Sequence, residues 1–152
     1  MRNAVPLKNR DEPLRAPCVA VGAIVIKKNR ILLVERGKAP SRGKWSIPGG
    51  SVHLGETLRE AVEREIKEET GLRIKAKDPV YVFDYIEREK RGRVRFHYVI
   101  IDFSAERIGG RLQPADDARD AGWFTPRQVQ NMGITESTRE FLKKIGFTSE
   151  GQ

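Results

Sequence analysis

Between Gly49 and Leu72 the chain reads GGSVHLGETLREAVEREIKEETGL, and no other stretch constrains the fold as strongly, because it specifies a helix with acids on its inward face. Thr57 followed three residues later by Glu60 is a capping-box pattern, and Gly71 after Thr70 is a C-terminal stop, so the spacing predicts a helix over about 57–70. At about 100° per residue with Leu58 at zero, Val62 falls near 40°, Ala61 near 300° and Ile66 near 80°, which marks the packing face. On the same wheel Glu65 lands near 340° and Glu69 near 20°, both on the buried side, with Glu68 near 280° at its edge. Glu60, Glu63 and Lys67 are expected to point to solvent.

Six glutamates gather here in a chain whose formal net charge is +8. Carboxylates on an inward face repel one another and lose hydration, so as bare ions they are strongly unfavourable. Arg64 stands four residues before Glu68 and can pair with it, yet one guanidinium is not expected to satisfy Glu65, Glu68 and Glu69 together. An all-oxygen cluster suits a hard divalent cation, and Mg²⁺ is often held by a few carboxylates together with substrate phosphates. The helix is therefore expected to be a metal platform for a phosphorylated ligand.

The rest of the chain bounds what surrounds that helix. Its 152 residues suit one domain, expected over 17–147, with a loose polar arm at 1–16 and a short tail at 148–152. The single cysteine, Cys18, sits in the apolar run CVAVGAIVI and reads as a small buried hydrophobe. With no signal-peptide stretch and no run of apolar residues long enough to span a bilayer, a soluble cytoplasmic protein without a membrane partner is expected. The 29 Lys and Arg against 21 Asp and Glu are scattered, which disfavours a nucleic-acid partner, and the densest basic cluster, EREKRGRVR at 87–95, reads as a hairpin turn. CVAVGAIVI, RILLVER, WSIP, LRIKAK, VYVFDYI, VRFHYVIIDF and AGWF read as strands; Pro126 and TESTREFLKKIG open two later helices. Such interleaving predicts an α/β fold with a mixed sheet covered on both faces.

The glutamate-rich stretch resembles the Nudix box: Gly, five residues, Glu, seven residues, Arg-Glu, an aliphatic, any residue, Glu-Glu, any residue, Gly, an aliphatic. Here those positions are Gly50, Glu56, Arg64, Glu65, Ile66, Glu68, Glu69, Gly71 and Leu72, without departure. The resemblance implies a Nudix-type α/β/α sandwich and hydrolysis of a nucleoside diphosphate linked to another group. It also implies the roles. Glu65 and Glu69, with Glu68 and the Gly50 carbonyl, would hold Mg²⁺ or Mn²⁺; Arg64 would orient the carboxylates; Glu56 would support the loop or a metal-bound water. Glu68 and Asp117, the latter in PADDARDAGW, are the two candidates for general base.

Recognition is less legible. Arg36, Arg42 and Lys44 read either as phosphate clamps or as a solvated loop, and Trp45, Phe83 and Tyr85 as base-stacking groups or, with greater weight, as core. His97 reads as structural. ADP-ribose, cleaved to AMP and ribose 5-phosphate, is the substrate the resemblance favours. A nucleoside triphosphate pyrophosphatase, including one for oxidised nucleotides, is the alternative, and a nucleotide-binding sensor is the alternative outside enzymes. A small-molecule nucleotide is the expected partner, with homodimerisation left open.

Overall fold

Alternation of apolar residues along β1 (Cys18–Ile24) and β3 (Arg30–Arg36) feeds two cores at once, and this sets the layering. In the computed structural model, which describes residues 15–149, Val21, Ala23, Val25 and Leu32 pack beneath α1 (Leu58–Thr70) with Ala61, Val62, Ile66 and Phe103. Their neighbours Ile24, Ile31 and Leu33 point the other way, against Val129, Ile134, Phe141 and Leu142 of α2 (Pro126–Gln130), α3 (Glu136–Lys144) and the turn between them. Helices on both sides of a β layer are the expected α/β/α sandwich.

The β layer consists of two four-stranded sheets rather than one. The first has the order β5 (Gly49–Ser51), β1, β7 (Val94–Gly110), β6 (Leu72–Arg88) and is mixed, since β1 runs parallel to β7 while its other pairs are antiparallel. In the second, antiparallel sheet β3 pairs with β2 (Ile26–Lys27), β4 (Trp45–Ser46) and β8 (Ala118–Phe124). LRIKAK and VYVFDYI, two strands by pattern, are one strand of 17 residues. Its register shifts on both sides of Pro79, where a residue without an N–H is tolerated. β7 likewise runs on past Phe103 to Gly110, and β8 begins three residues before AGWF.

Helix α1 matches its sequence reading closely. Thr57 caps it by accepting from the Glu60 N–H at 3.1 Å, and Gly71, at φ 75°, closes it in the left-handed region by donating to the Lys67 carbonyl. The Glu60 carboxylate turns back to the Thr57 hydroxyl rather than to its backbone N–H, so the box is closed differently from the usual reciprocal pair. Two positions depart from the wheel. Leu58, expected to pack, is 37% exposed because it sits at the first turn, beyond the reach of the sheet. Glu63, expected in solvent, is half-buried and accepts the Ala76 N–H of β6 at 3.0 Å. The later helices begin at Thr125 and Thr135 caps, with Pro126 in the first turn as read. The expected arm at 1–16 lies outside the described residues except for Arg15 and Ala16, and of the tail only Thr148 and Ser149 are described. Among the described residues no helix is long and apolar enough to cross a membrane.

Candidate active site

The double glycine lies close to β1 at Gly49 and to α1 at Gly50 because neither residue has a side chain. β5 pairs with β1 at Val21↔Gly50 and Gly22↔Gly49, and a Cβ on Gly49 would overlap the Val21 carbonyl. A Cβ on Gly50 would occupy the place of the Glu65 carboxylate. The backbone of β5 thus lies directly against the acidic face of the helix, and the Gly49 N–H donates to Glu69 Oε2 at 3.1 Å.

Arg64 organises the acids around this contact. Its Nε and Nη2 grip Glu56 bidentately at 2.7 and 2.9 Å, its Nη1 donates to Glu65 and Glu68 at 2.9 and 3.0 Å, and its Nη2 also reaches the Ser51 carbonyl at 2.9 Å. One guanidinium serves three carboxylates because its planar fork offers five donors, although Glu69 of the helix is not among them. The three are Glu56, Glu65 and Glu68. Among the described residues no cation is hydrogen-bonded to Glu69.

Electrostatics follow from this sharing. The Arg64 hydrogen bonds hold the Glu56 carboxyl down to about 2, and both Glu56 oxygens are engaged, one also accepting the His53 N–H. Burial pushes Glu65 up, with Arg64 opposing and Glu68 and Asp116 adding repulsion. Glu69, 7% exposed, is lifted to about 8, first by burial and then by the Glu65 charge, with the Gly49 N–H and Arg36 opposing. Two adjacent buried acids at raised proton affinity fit a hard divalent cation, which would stabilise their ionised forms. Among the described residues no three acidic, His or Cys side chains form a ready-made cage.

These acids close one end of a cleft of about 430 Å³ between the two sheets. Of the residues expected to recognise substrate, Arg36 and Lys44 line it, whereas Arg42 does not. Trp45 belongs instead to the second core, edge-on to Phe124 at 5.0 Å, and the base-stacking reading of it is corrected accordingly. Phe83 and Tyr85, weighted towards core, line the cleft together with Tyr81 and Tyr98. Asp117 stands in the cleft wall, paired with Lys38 at 2.9 Å, and the loop bearing it is tied to the end of α1 by Ala115 N–H to the Glu69 carbonyl and Gln113 N–H to the Thr70 carbonyl. Glu68 is held on Arg64 outside the cleft lining. His97 lies outside it too. The half-buried Cys18 has its thiol pushed up by burial, as suits an unreactive side chain.

Sequence reading passed over Lys38, Ser46, Asp102 and Asp116. Asp116 adjoins Asp117 and Lys38 lies two residues beyond Arg36, and only the fold brings Lys38 to Asp117 and Asp116 near Glu65.

The chain is 46% identical over 108 residues to an ADP-ribose pyrophosphatase of Methanocaldococcus jannaschii, a match covering 71% of this chain and 62% of that relative. Among solved structures it is similar to a MutT NUDIX hydrolase from Burkholderia pseudomallei, at 31% identity and TM-score 0.72, covering 86% of this chain and 99% of the other. It is also similar to a bifunctional NMN adenylyltransferase/ADP-ribose pyrophosphatase from Francisella tularensis complexed with AMP and a Mn ion, at 29% identity and TM-score 0.69, covering 88% of this chain and 42% of that one. The NUDIX domain model matches residues 16–145, a span that takes in both sheets, all three helices and every acid described above, and the chain belongs to the Nudix family.

Proposed function

We propose that the protein hydrolyses the pyrophosphate bond of a nucleoside diphosphate derivative in a metal-dependent reaction, with ADP-ribose as substrate and AMP and ribose 5-phosphate as products. The observation that carries this reading is the buried Glu65–Glu69 pair lining an aromatic-walled cleft, with no cation hydrogen-bonded to Glu69 among the described residues. The choice of ADP-ribose is supported by the ADP-ribose pyrophosphatase relative, and that of Mg²⁺ or Mn²⁺ by the Mn ion in the Francisella tularensis structure.

Glu65, Glu69 and the Gly50 carbonyl would hold the divalent ion, which supplies charge neutralisation on the pyrophosphate and a lowered pKa of bound water. Arg64 keeps Glu65 aimed at β5 while Glu56 fixes Arg64 to the loop before the helix. Glu68, on the same guanidinium, supports that arrangement or completes the metal set. Arg36, Lys38 and Lys44 bring positive charge to the cleft mouth, where substrate phosphates enter. Of the two candidate bases, Asp117 is our assignment as proton acceptor, because it lines the cleft whereas Glu68 does not. Tyr81, Phe83, Tyr85 and Tyr98 give a nucleoside an aromatic wall.

The test is a panel of ADP-ribose, other nucleotide sugars, NADH, nucleoside triphosphates with their oxidised forms, and dinucleoside polyphosphates, each with Mg²⁺, Mn²⁺ or chelator. ADP-ribose should give AMP and ribose 5-phosphate with the highest kcat/KM, and nothing in chelator. Preferred release of pyrophosphate from a triphosphate would replace ADP-ribose by the triphosphate reading. Binding without turnover across the panel would make the protein a nucleotide sensor, and turnover in chelator would refute the metal assignment.

A further inference from the structure

We propose that Asp102 is a specificity-determining residue whose carboxylate, at the floor of the cleft, accepts a hydrogen bond from the donor edge of the substrate's nucleoside, an amino group of the base or a hydroxyl of its sugar. This rests on the nucleotide reading above and adds a contact to it.

Asp102 lies mid-strand on β7, paired with Gly22 of β1 on one side and Tyr81 of β6 on the other. By the two-residue period of a strand, Tyr98, Ile100 and Asp102 share one face, and all three line the cleft. Asp102 is 4% exposed, yet its carboxylate has no hydrogen-bond or ion-pair partner among the described residues. A carboxylate in such a place costs the fold free energy, and an apolar side chain of the same size would pack there without that cost. The neighbouring strand makes room for it: a Cβ on Gly22 would overlap Asp102 Oδ1. A missing side chain on β1 and an unpaired acid on β7 are therefore matched to one another, although neither serves a core.

The surroundings indicate what the acid meets. Burial alone raises its proton affinity, to about 7, and neither Arg64 nor any other charged group contributes, so it stands apart from the acid network around Glu69. Along its own face run Ile100, Tyr98 and, from β6, Tyr81, Phe83 and Tyr85, a surface for a flat ring. A second polar group on the cleft, the Ser46 hydroxyl, is also buried without a partner. An apolar slot whose few polar atoms are unsatisfied is the usual form of a recognition site, in which those atoms fix orientation and choice of ligand. A ligand N–H or O–H would favour the ionised form that burial disfavours, and an ionised carboxylate only accepts, so the matching ligand group is an N–H or O–H.

The experiment compares wild type, Asp102→Asn and Asp102→Ala on ADP-ribose, its inosine counterpart, which lacks the base amino group, and its 2′-deoxyadenosine counterpart, which lacks a sugar hydroxyl. Wild type should disfavour one analogue by about 10- to 100-fold in kcat/KM, and Asp102→Ala should erase that preference by losing activity on ADP-ribose while changing little on that analogue. The analogue affected tells amino group from hydroxyl. Melting temperature in chelator should be unchanged or raised in Asp102→Asn, an outcome that a structural role would not produce. The proposal is overturned if the three proteins rank the three substrates alike, if both variants lose activity uniformly, or if Asp102→Asn lowers the melting temperature. Should wild type ignore ADP-ribose but process another nucleotide, the ADP-ribose reading fails on its own, and Asp102 is judged by the same ratios on that nucleotide with its deaminated and deoxy forms, read as Kd if there is binding without turnover.

Discussion

Glu69→Gln should separate the function of the acidic helix from its stability, and the burial of the carboxyl sets the sign and rough size of the stability effect. The carboxyl is lifted from 4.5 to about 8 in the metal-free fold. Its folded-state value lies above the unfolded one, so between these pH values the folded protein retains a proton that the unfolded chain has released. Stability is therefore fully present below pH 4.5 and is lost as pH rises through 8. At about 1.4 kcal/mol for each tenfold change in proton affinity, the loss reaches at most about 5 kcal/mol, reduced by whatever relaxation admits water to the site. Glutamine removes this penalty while keeping an oxygen to accept the Gly49 N–H, whose bond is 3.1 Å long. In chelator the two proteins should melt together near pH 5, and the variant should melt higher near pH 8.5, by about 5–15 °C for a gain of a few kcal/mol. With saturating Mg²⁺ the order should reverse for function: on the proposed reading, in which Glu69 holds the ion, kcat falls by about 10³-fold or more. Scanning fluorimetry across pH with and without Mg²⁺, alongside turnover, measures both. A Glu69→Gln protein that melts lower than wild type at pH 8.5 in chelator, or that keeps its kcat, would refute the reasoning and make Glu69 a structural residue.

Arg64→Lys replaces the five-donor fork by a point charge, so Glu56, Glu65 and Glu68 cannot all be held; activity should fall by at least ~100-fold and the melting temperature by several degrees. The same variant should lose the acid-side stability that Glu56 provides in wild type, which is present above pH 4.5 and disappears as pH falls towards 2, a difference visible in melting curves taken down that range. Gly50→Ala drives a Cβ into the Glu65 carboxylate, and displacement of that proposed ligand by even ~1 Å should cost about 100-fold in kcat/KM, checked by kinetics with a Mg²⁺ titration. Glu63→Gln should leave turnover unchanged and stability within about 0.5 kcal/mol, since the amide oxygen still accepts the Ala76 N–H, whereas Glu63→Ala should lose about 1 kcal/mol in denaturant unfolding.

Legibility in the sequence tracks how local each determinant is. The placement of Glu65 and Glu69 on the buried face needs only the 100° step of a helix whose ends Thr57 and Gly71 define, and all of that is contained in 15 consecutive residues. Glu63 escaped the same wheel because its partner, the Ala76 N–H, belongs to a strand whose position the helix does not encode. Arg64 was read with one neighbour, Glu68, at the spacing the helix supplies; Glu56 reaches it from the preceding loop, and that approach needs the loop's three-dimensional path. The single 17-residue β6 was read as two strands because Pro79 breaks the pattern locally, whereas pairing with β7 carries the strand through the break.

The recognition wall was hidden for a different reason. Alternation in VYVFDYI and VRFHYVIIDF says that every second residue shares a face, but not which face looks into a cleft and which into a core. That choice is made by the parallel register of β1 on β7, which sets Gly22 opposite Asp102, and by the second core, which takes in Tyr81 at its edge but not Phe83 and Tyr85. Aromatic residues there carry no mark that distinguishes them from Trp45, which by the same local criteria went to the core instead. The acids proposed for the phosphate end are thus written into one helix, whereas the wall proposed for the rest of the substrate arises where β1 comes into register with the β6–β7 hairpin. Chemistry shared with other proteins can persist in the helix while the register-dependent wall varies. Substitutions that change substrate without harming catalysis are accordingly expected at Asp102, Ser46, Phe83 and Tyr98, and not between Glu56 and Glu69.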